Sequence, residues 1–511
     1  MITLFTTIYV VCALLLALHT ASQFILLWLY LHHRRRVIPT PTVHYTPHVA
    51  VQLPLYNEKY VVGTLLNAVA KLDYPRDCLT IQVLDDSTDD TAQIVAAKVT
   101  ALRRTGLNIH HVRRATRSGY KAGALAYGLT LLPQAEYIAI FDADFVPPSD
   151  FLRLTIPHFA KNPKLGILQT RWGHLNATDN WLTRAQALAI DVHFIIEQTA
   201  RNRAGLPQTF NGTGGVWRKQ TIIDAGGWSA QTLTEDLDLS FRAQIRGWRY
   251  LYLPDVVVPG EIPSMMVAYK RQQARWAQGT NQCLVKLTVP VWRSRHLTPL
   301  QKLTAMQPLT QYLPHTFMLL LLLLTPPLIA ADALHSLPVT PLGIVGLVPP
   351  LMHVLAQGAH ERVGLRRLAY FPMLMLIGTG TVVNNAYAAY LAFKSAFTRQ
   401  QHEFARTPKF GKTQGSAYAL SAGQLVYAEL ALALYAAVGA VLALANEPAL
   451  VAYMTLYSLS LFTVALWHLY DNWQIARLPI ETEPSLNAEA EDAVAVVEMT
   501  QEQPETEAIY T

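Results

Sequence analysis

Cysteine is almost missing from these 511 residues: Cys12, Cys78 and Cys283 stand far apart. Three scattered thiols build no disulfide framework, and no CxxC or Cys/His spacing suggests zinc. Charge is sparse as well, at 15% of residues against 51% apolar ones. Nor does the start of the chain read as a secretory leader. The first apolar run, Met1–Leu31, carries its positive charge behind it, in "HHRRR" (His32–Arg36), and no small-residue cleavage site follows. It reads as an anchor whose C-terminal end faces the cytosol. Basic charge is missing from the other terminus: from Glu481 onward there are nine acids and no Lys or Arg, in a chain of net charge +6. That tail, 479–511, is expected to be solvated and disordered. The basic residues of the remainder cluster at membrane flanks, which favours an orientation role over nucleic acid as a partner.

What the chain does have is long apolar runs at its ends and an α/β pattern between them. About 20 apolar helical residues cross a hydrocarbon core of ~30 Å. Runs that qualify lie at Met1–Leu31, Gln311–Ala331, Pro338–Ala356, Leu368–Phe393, Leu420–Ala445 and Leu450–Leu469. If all of them span, the connection holding Lys394, Arg399, Arg406, Lys409 and Lys412 faces outside, against the positive-inside tendency. With Leu368–Phe393 in the interface instead, every basic connection faces inside. That segment also carries Gly378, Gly380, Asn384 and Asn385, poor residues for lipid. The expectation is five spans and one interfacial helix, with the N-terminus outside and the C-terminus cytosolic.

Between the anchors, "HVAVQLPLYNE" opens as a strand expected to stop at Pro54. "LTIQVLDDSTDD" is a buried strand ending in Asp85 and Asp86, and "EYIAIFDAD" is another ending in Asp142 and Asp144. Helical patterns separate them, one starting near Lys121, so the region reads as a parallel, doubly wound α/β sheet. Ligands of such sheets bind at the carboxyl ends of the strands. Asp-Ala-Asp there brings together two carboxylates that repel, a conflict that Mg²⁺ or Mn²⁺ and a substrate diphosphate would remove. Acids also begin turns and cap helices, and "DSTDD" makes a good N-cap. In "TLTEDLDLSFR", Asp236 is either a general base or part of a helix start capped by Thr234. The glycines of "FNGTGGVWR" (Phe210–Arg218) allow close backbone approach to a bulky ligand. "KRQQARWAQG" (Lys270–Gly279) sets a cation and an indole side by side, as an interfacial anchor would too.

In order, LPLYNE, LDDSTDD, KAGAL, DAD, FNGTGG, TED and QQARW, followed by apolar helices, resemble the processive family-2 glycosyltransferases, which include the cellulose, chitin and hyaluronan synthases. The likeness runs from about Pro54 to Lys412. It is nearest to the plant cellulose-synthase-like mannan and glucan synthases and their bacterial relatives. It implies a GT-A glycosyltransferase domain over 45–300 between an N-terminal helix (1–33) and a membrane domain (301–475). It implies an inverting, metal-dependent hexosyltransferase that extends a β-linked polysaccharide from UDP-glucose or GDP-mannose and moves it across the bilayer.

The resemblance also assigns residues. Asp236 corresponds to the catalytic base. Asp142 and Asp144 correspond to the metal-binding pair, with Mg²⁺ or Mn²⁺. Tyr56, Glu58, Asp85, Asp86, Lys121, Asp142, Gln272 and Arg275 fall on the nucleotide-sugar side. Phe210, Asn211, Gly212, Thr213, Glu235 and Trp276 fall on the acceptor side, with the indole a platform for a sugar ring. "FARTPKF" (Phe404–Phe410) resembles the gating loop, 400–412, with Thr407 and Lys409 placed to meet a phosphate and Arg406 where valine is usual. Two alternatives stay open: a ceramide-glucosyltransferase-like enzyme that adds one sugar to a membrane lipid, and a catalytically dead channel or scaffold. Nothing in the residues specifies accessory subunits or oligomeric state.

Overall fold

A computed structural model describes residues 1–335, 348–359, 365–398 and 423–477. The expected gating loop, with Thr407 and Lys409, and the acidic tail lie outside the described residues.

Among the described residues, seven strands form one sheet: β1 Val49–Leu55, β2 Leu79–Asp85, β3 Ile109–Val112, β4 Tyr137–Ile140, β5 Leu165–His174, β6 Gly215–Arg218 and β7 Arg249–Gly260. They lie in the order β3-β2-β1-β4-β6-β5-β7. Alternation along the strands builds a core on each face. Val49, Val51, Leu53, Ile81 and Val83 point to one side, and Ala50, Leu84, Ile138 and Ile140 to the other. Both faces are covered, as a sheet with parallel crossovers requires.

Two expectations need correction. The sheet is mixed, because β6 runs antiparallel to both β4 and β5. Four residues carry too short a pattern to announce a strand. The position depends on close packing: a Cβ on Gly215 would stand 2.4 Å from the Leu168 carbonyl oxygen and 2.5 Å from the Phe210 ring. Nor does β1 stop at Pro54. It continues to Leu55 in register with Asp85. The β1–β4 pairing ends at Gln52 and Ile140, so Pro54's missing N–H removes no ladder bond on that side. The arrangement is the GT-A type of α/β fold.

Among the described residues, four helices are long and apolar enough to cross a membrane: Ile2–His33, Leu313–Ala330, Leu425–Asn446 and Pro448–Ile475. Of the run at Pro338–Ala356, only the part from Val348 is described, in a helix that ends at Gly358. The run at Leu368–Phe393 is broken into Phe371–Gly380 and Val382–Thr398, of 10 and 17 residues. At the break, Gly380 packs so closely that a Cβ would lie 2.5 Å from the Ser460 carbonyl oxygen. Between sheet and spans runs the longest helix of the globular part, Met266–Arg293.

Candidate active site

Because β1, β2 and β4 are parallel neighbours, their carboxyl ends open on one side of the sheet. A cavity lies there. Tyr56 and Glu58 reach it from beyond β1, Asp86 from beyond β2, and Asp142 and Asp144 from beyond β4. Lys121 enters from the first turn of the helix Tyr120–Thr130. Asn211 and Gly212 come from the loop before β6, and Glu235 and Asp236 from the first turn of the helix Glu235–Ile245. Gln272, Arg275 and Trp276 close the cavity from the Met266–Arg293 helix.

Three residues expected on the acceptor or donor side stand behind this surface instead. Phe210 is fully buried and packs edge-on against Trp217 at 5.2 Å. Thr213 is buried too, and its hydroxyl accepts from the Asp142 backbone N–H at 2.9 Å. It therefore orients Asp142 from beneath. Asp85, also buried, faces His111 Nε2 at 2.8 Å and accepts from the Ser87 N–H at 2.8 Å. Burial would raise its carboxyl, but these bonds outweigh burial and hold it below its ordinary range. Neighbouring Asp86 does reach the cavity, gripped by Arg114, which also donates to the carbonyls of Ser118 and Tyr120.

Lys121 ties the acids together. Its ammonium lies 2.5 Å from Asp142 Oδ1 and 3.7 Å from Glu235, and donates to the Gly212 carbonyl at 3.0 Å. Burial works against its charge, yet Asp142, Glu235 and Asp236 together hold its pKa above the ordinary lysine value. Asp142 is raised in turn by burial, with Lys121 opposing and Asp144 adding to the rise. Asp236 is pushed up to about 7, first by burial and then by Glu235, against the pull of Lys121 and Arg275. A carboxylate tuned near neutrality suits a general base. Gly212 has φ +81°, and a Cβ there would come 3.1 Å from Asp236 Oδ2. Only glycine lets this loop pass so near that carboxylate without strain.

Among the described residues, no three His, Cys, Asp or Glu side chains gather closely enough to hold an ion by themselves. That fits a hard divalent cation, which takes one or two carboxylates and completes its shell with phosphate oxygens and water. Asp142 and Asp144, flanking one residue just past β4, are two carboxylates that could serve as such a pair.

A second cavity continues from the first past Asp236, Gln272 and Trp276, all three of which line both. Trp172, Tyr269 and Tyr312 give it aromatic walls, and His193 and Glu197 give it polar ones. The latter two sit on a π-helical stretch, Val192–Gln198, a form concentrated at functional sites. His193 Nδ1 is 2.9 Å from Glu197, and its Nε2 is 3.1 Å from the Asn211 amide.

Sequence reasoning missed Arg117, whose guanidinium lies 3.3 Å from the centre of the Tyr56 ring, and also Trp172, His193 and Glu197. Trp172 had a signal, being near the end of a strand. The other three had none, since their roles depend on what folds opposite them.

Residues 137–383 match the family described as Glycosyl transferase family group 2. The chain is similar to plant enzymes of the glucomannan 4-beta-mannosyltransferase type. A probable glucomannan 4-beta-mannosyltransferase 7 of Oryza sativa subsp. japonica is 38% identical over 336 residues, covering 65% of this chain and 54% of that protein. Glucomannan 4-beta-mannosyltransferase 1 of Cyamopsis tetragonoloba is 42% identical over 262 residues, covering 49% of this chain and 50% of that one. The chain thus spans about half the length of the curated relatives it matches. The solved mannosyltransferase PcManGT of Pyrobaculum calidifontis, in complex with GDP-Man and Mn²⁺, superposes with a TM-score of 0.55. It covers 77% of this chain and all of that one at 22% identity, a likeness of fold.

Proposed function

Residues 137–383 carry the match to glycosyl transferase family group 2, and from that premise we propose that the protein is a membrane-embedded, inverting nucleotide-sugar glycosyltransferase that elongates a β-linked polysaccharide. The observation that carries this reading is the position of Asp236, which lines both cavities. On one side stand Lys121, Asp142 and Asp144, and on the other a hollow with aromatic walls.

In this reading the acceptor sugar lies on the aromatic side, its terminal ring against Trp276. Asp236 takes the proton of the attacking hydroxyl, and the oxygen displaces the nucleoside diphosphate from the anomeric carbon in line. An α-linked donor therefore gives a β linkage. Lys121 and Arg275 meet the charge that gathers on the leaving diphosphate, and the guanidinium offers donors in fixed geometry. Asp142 and Asp144 would hold Mg²⁺ or Mn²⁺, which neutralises diphosphate charge when bound. The names of the plant relatives favour a mannosyl donor, hence GDP-mannose ahead of UDP-glucose. Export of the growing chain through the spans, with the N-terminus outside and the catalytic domain cytosolic, belongs to the same proposal. After replacement of the native cysteines, a cysteine at Gln400 should react only with a membrane-permeant thiol reagent. Labelling by an impermeant one would overturn that orientation.

The test of function is incubation of the purified chain in lipid nanodiscs with GDP-mannose, UDP-glucose and related radiolabelled donors, with Mg²⁺ or Mn²⁺. The product is then digested with linkage-specific glycanases. A polymer cut by β-mannanase is expected. One sugar on a lipid, or no turnover of any donor, would refute the reading.

A further inference from the structure

The Met266–Arg293 helix presents Gln272, Arg275 and Trp276 to the active site. Its other side is held by the membrane-side helices. At 3.6 residues per turn, Lys270 points roughly opposite to those three residues. Its ammonium meets Glu429 on the Leu425–Asn446 helix at 2.6 and 2.7 Å. The two side chains are 4% and 0% exposed, which makes this the most deeply buried lysine or arginine pair with a carboxylate among the described residues. Around it are three further ties. Asn384 donates to the Lys270 carbonyl at 2.9 Å, Asp471 accepts from the Met266 N–H, and Tyr312 donates to Gln273 at 3.2 Å.

We propose that Lys270 and Glu429 are a positioning pair: they fix the rotation and height of this helix against the span that begins at Leu425, and so hold Trp276 in register with the acceptor cavity. The inference rests on the transfer reading above. Burying two charges is a poor route to stability, since well-packed apolar side chains usually serve as well or better. What such a pair adds is direction. It has one good geometry, so the helix cannot slide or roll on its apolar neighbours Leu182, Ile377 and Val464 without breaking it. Trp276 lies six residues on, where a small roll becomes a displaced ring.

The experiment compares Lys270→Met with Glu429→Met as a double variant, the charge exchange Lys270→Glu with Glu429→Lys, and the milder Asn384→Ala. All are made in the full chain in nanodiscs. Thermal stability, KM for the nucleotide sugar, kcat, and the ratio of polymer to free sugar are read for each. The double apolar variant should melt near the parent with donor KM little changed. Its polymer-to-free-sugar ratio should fall about tenfold, as misplacement by a fraction of an ångström implies. The charge exchange should restore part of that ratio, and Asn384→Ala should lower it less. If the double variant does not fold, Asn384→Ala decides. An unchanged ratio in folded variants from a parent that polymerises overturns the inference and leaves the transfer reading standing. A parent that turns over no donor overturns the transfer reading itself.

Discussion

If Asp236 is the base, the rate must follow its ionisation, and the site makes that testable in both directions. Its pKa of about 7 stands well above the ordinary aspartate value of 3.8. At pH 7 about half of the molecules would then hold the base ionised, and kcat/KM should fall by about tenfold for each pH unit well below that. Two neighbours pull oppositely: Glu235 raises the pKa and Lys121 lowers it. Glu235→Gln should therefore move the acid limb to lower pH, and Lys121→Met should move it up, whatever each does to the maximal rate. The same shift has a stability cost of definite sign. Between pH 3.8 and about 7 the folded state holds more proton at Asp236 than the unfolded chain does. Stability is then lost as pH rises through that window. Asp236→Asn should escape this loss. It should melt higher than the parent at pH 8, the difference shrinking towards pH 4, while transfer is abolished and donor binding stays. The assays are initial rates of labelled-sugar transfer from pH 5 to 9 and melting in nanodiscs. An acid limb that stays put in both neighbour variants, or near-normal turnover by Asp236→Asn, would refute the assignment.

Trp276→Ala should cost about tenfold in productive acceptor occupancy, since stacking contributes about 1 kcal/mol beyond the area it buries. Donor hydrolysis should suffer less, so an unchanged polymer-to-hydrolysis ratio would leave Trp276 a mere interfacial anchor. Asp144→Asn should weaken donor binding in the presence of Mn²⁺ but not in EDTA, measured by calorimetry, and equal loss in both would remove it from the metal site. Gly279→Ala would put a Cβ 2.6 Å from Thr234 Cγ2 and 2.8 Å from its backbone nitrogen. It should destabilise by about 1–3 kcal/mol through overpacking. It should also lower kcat more than it changes donor KM, because Asp236 lies two residues beyond the displaced Thr234.

By itself the sequence determined the elements that depend on local pattern. Buried apolar runs placed β1, β2 and β4, and strands leading into carboxylate pairs pointed to the cavity at their carboxyl ends. Of the six apolar runs, four mark the helices that, among the described residues, are long and apolar enough to span. The order of short motifs did more than any one of them, because acids, glycines and an Arg-Trp pair recur by chance singly but seldom in series. Only the tertiary structure decided which members of a motif face the cavity. In "DD" Asp86 lines the cavity, while Asp85 turns to His111. In "FNGTGG" Asn211 and Gly212 line it, while Phe210 joins the core and Thr213 supports Asp142. Adjacent residues share a motif but point in different directions, and which direction meets solvent depends on what packs opposite. The antiparallel β6, Arg117 over Tyr56 and the Lys270–Glu429 pair are decided in the same way: each needs a partner far along the chain, and no local pattern records where that partner will lie.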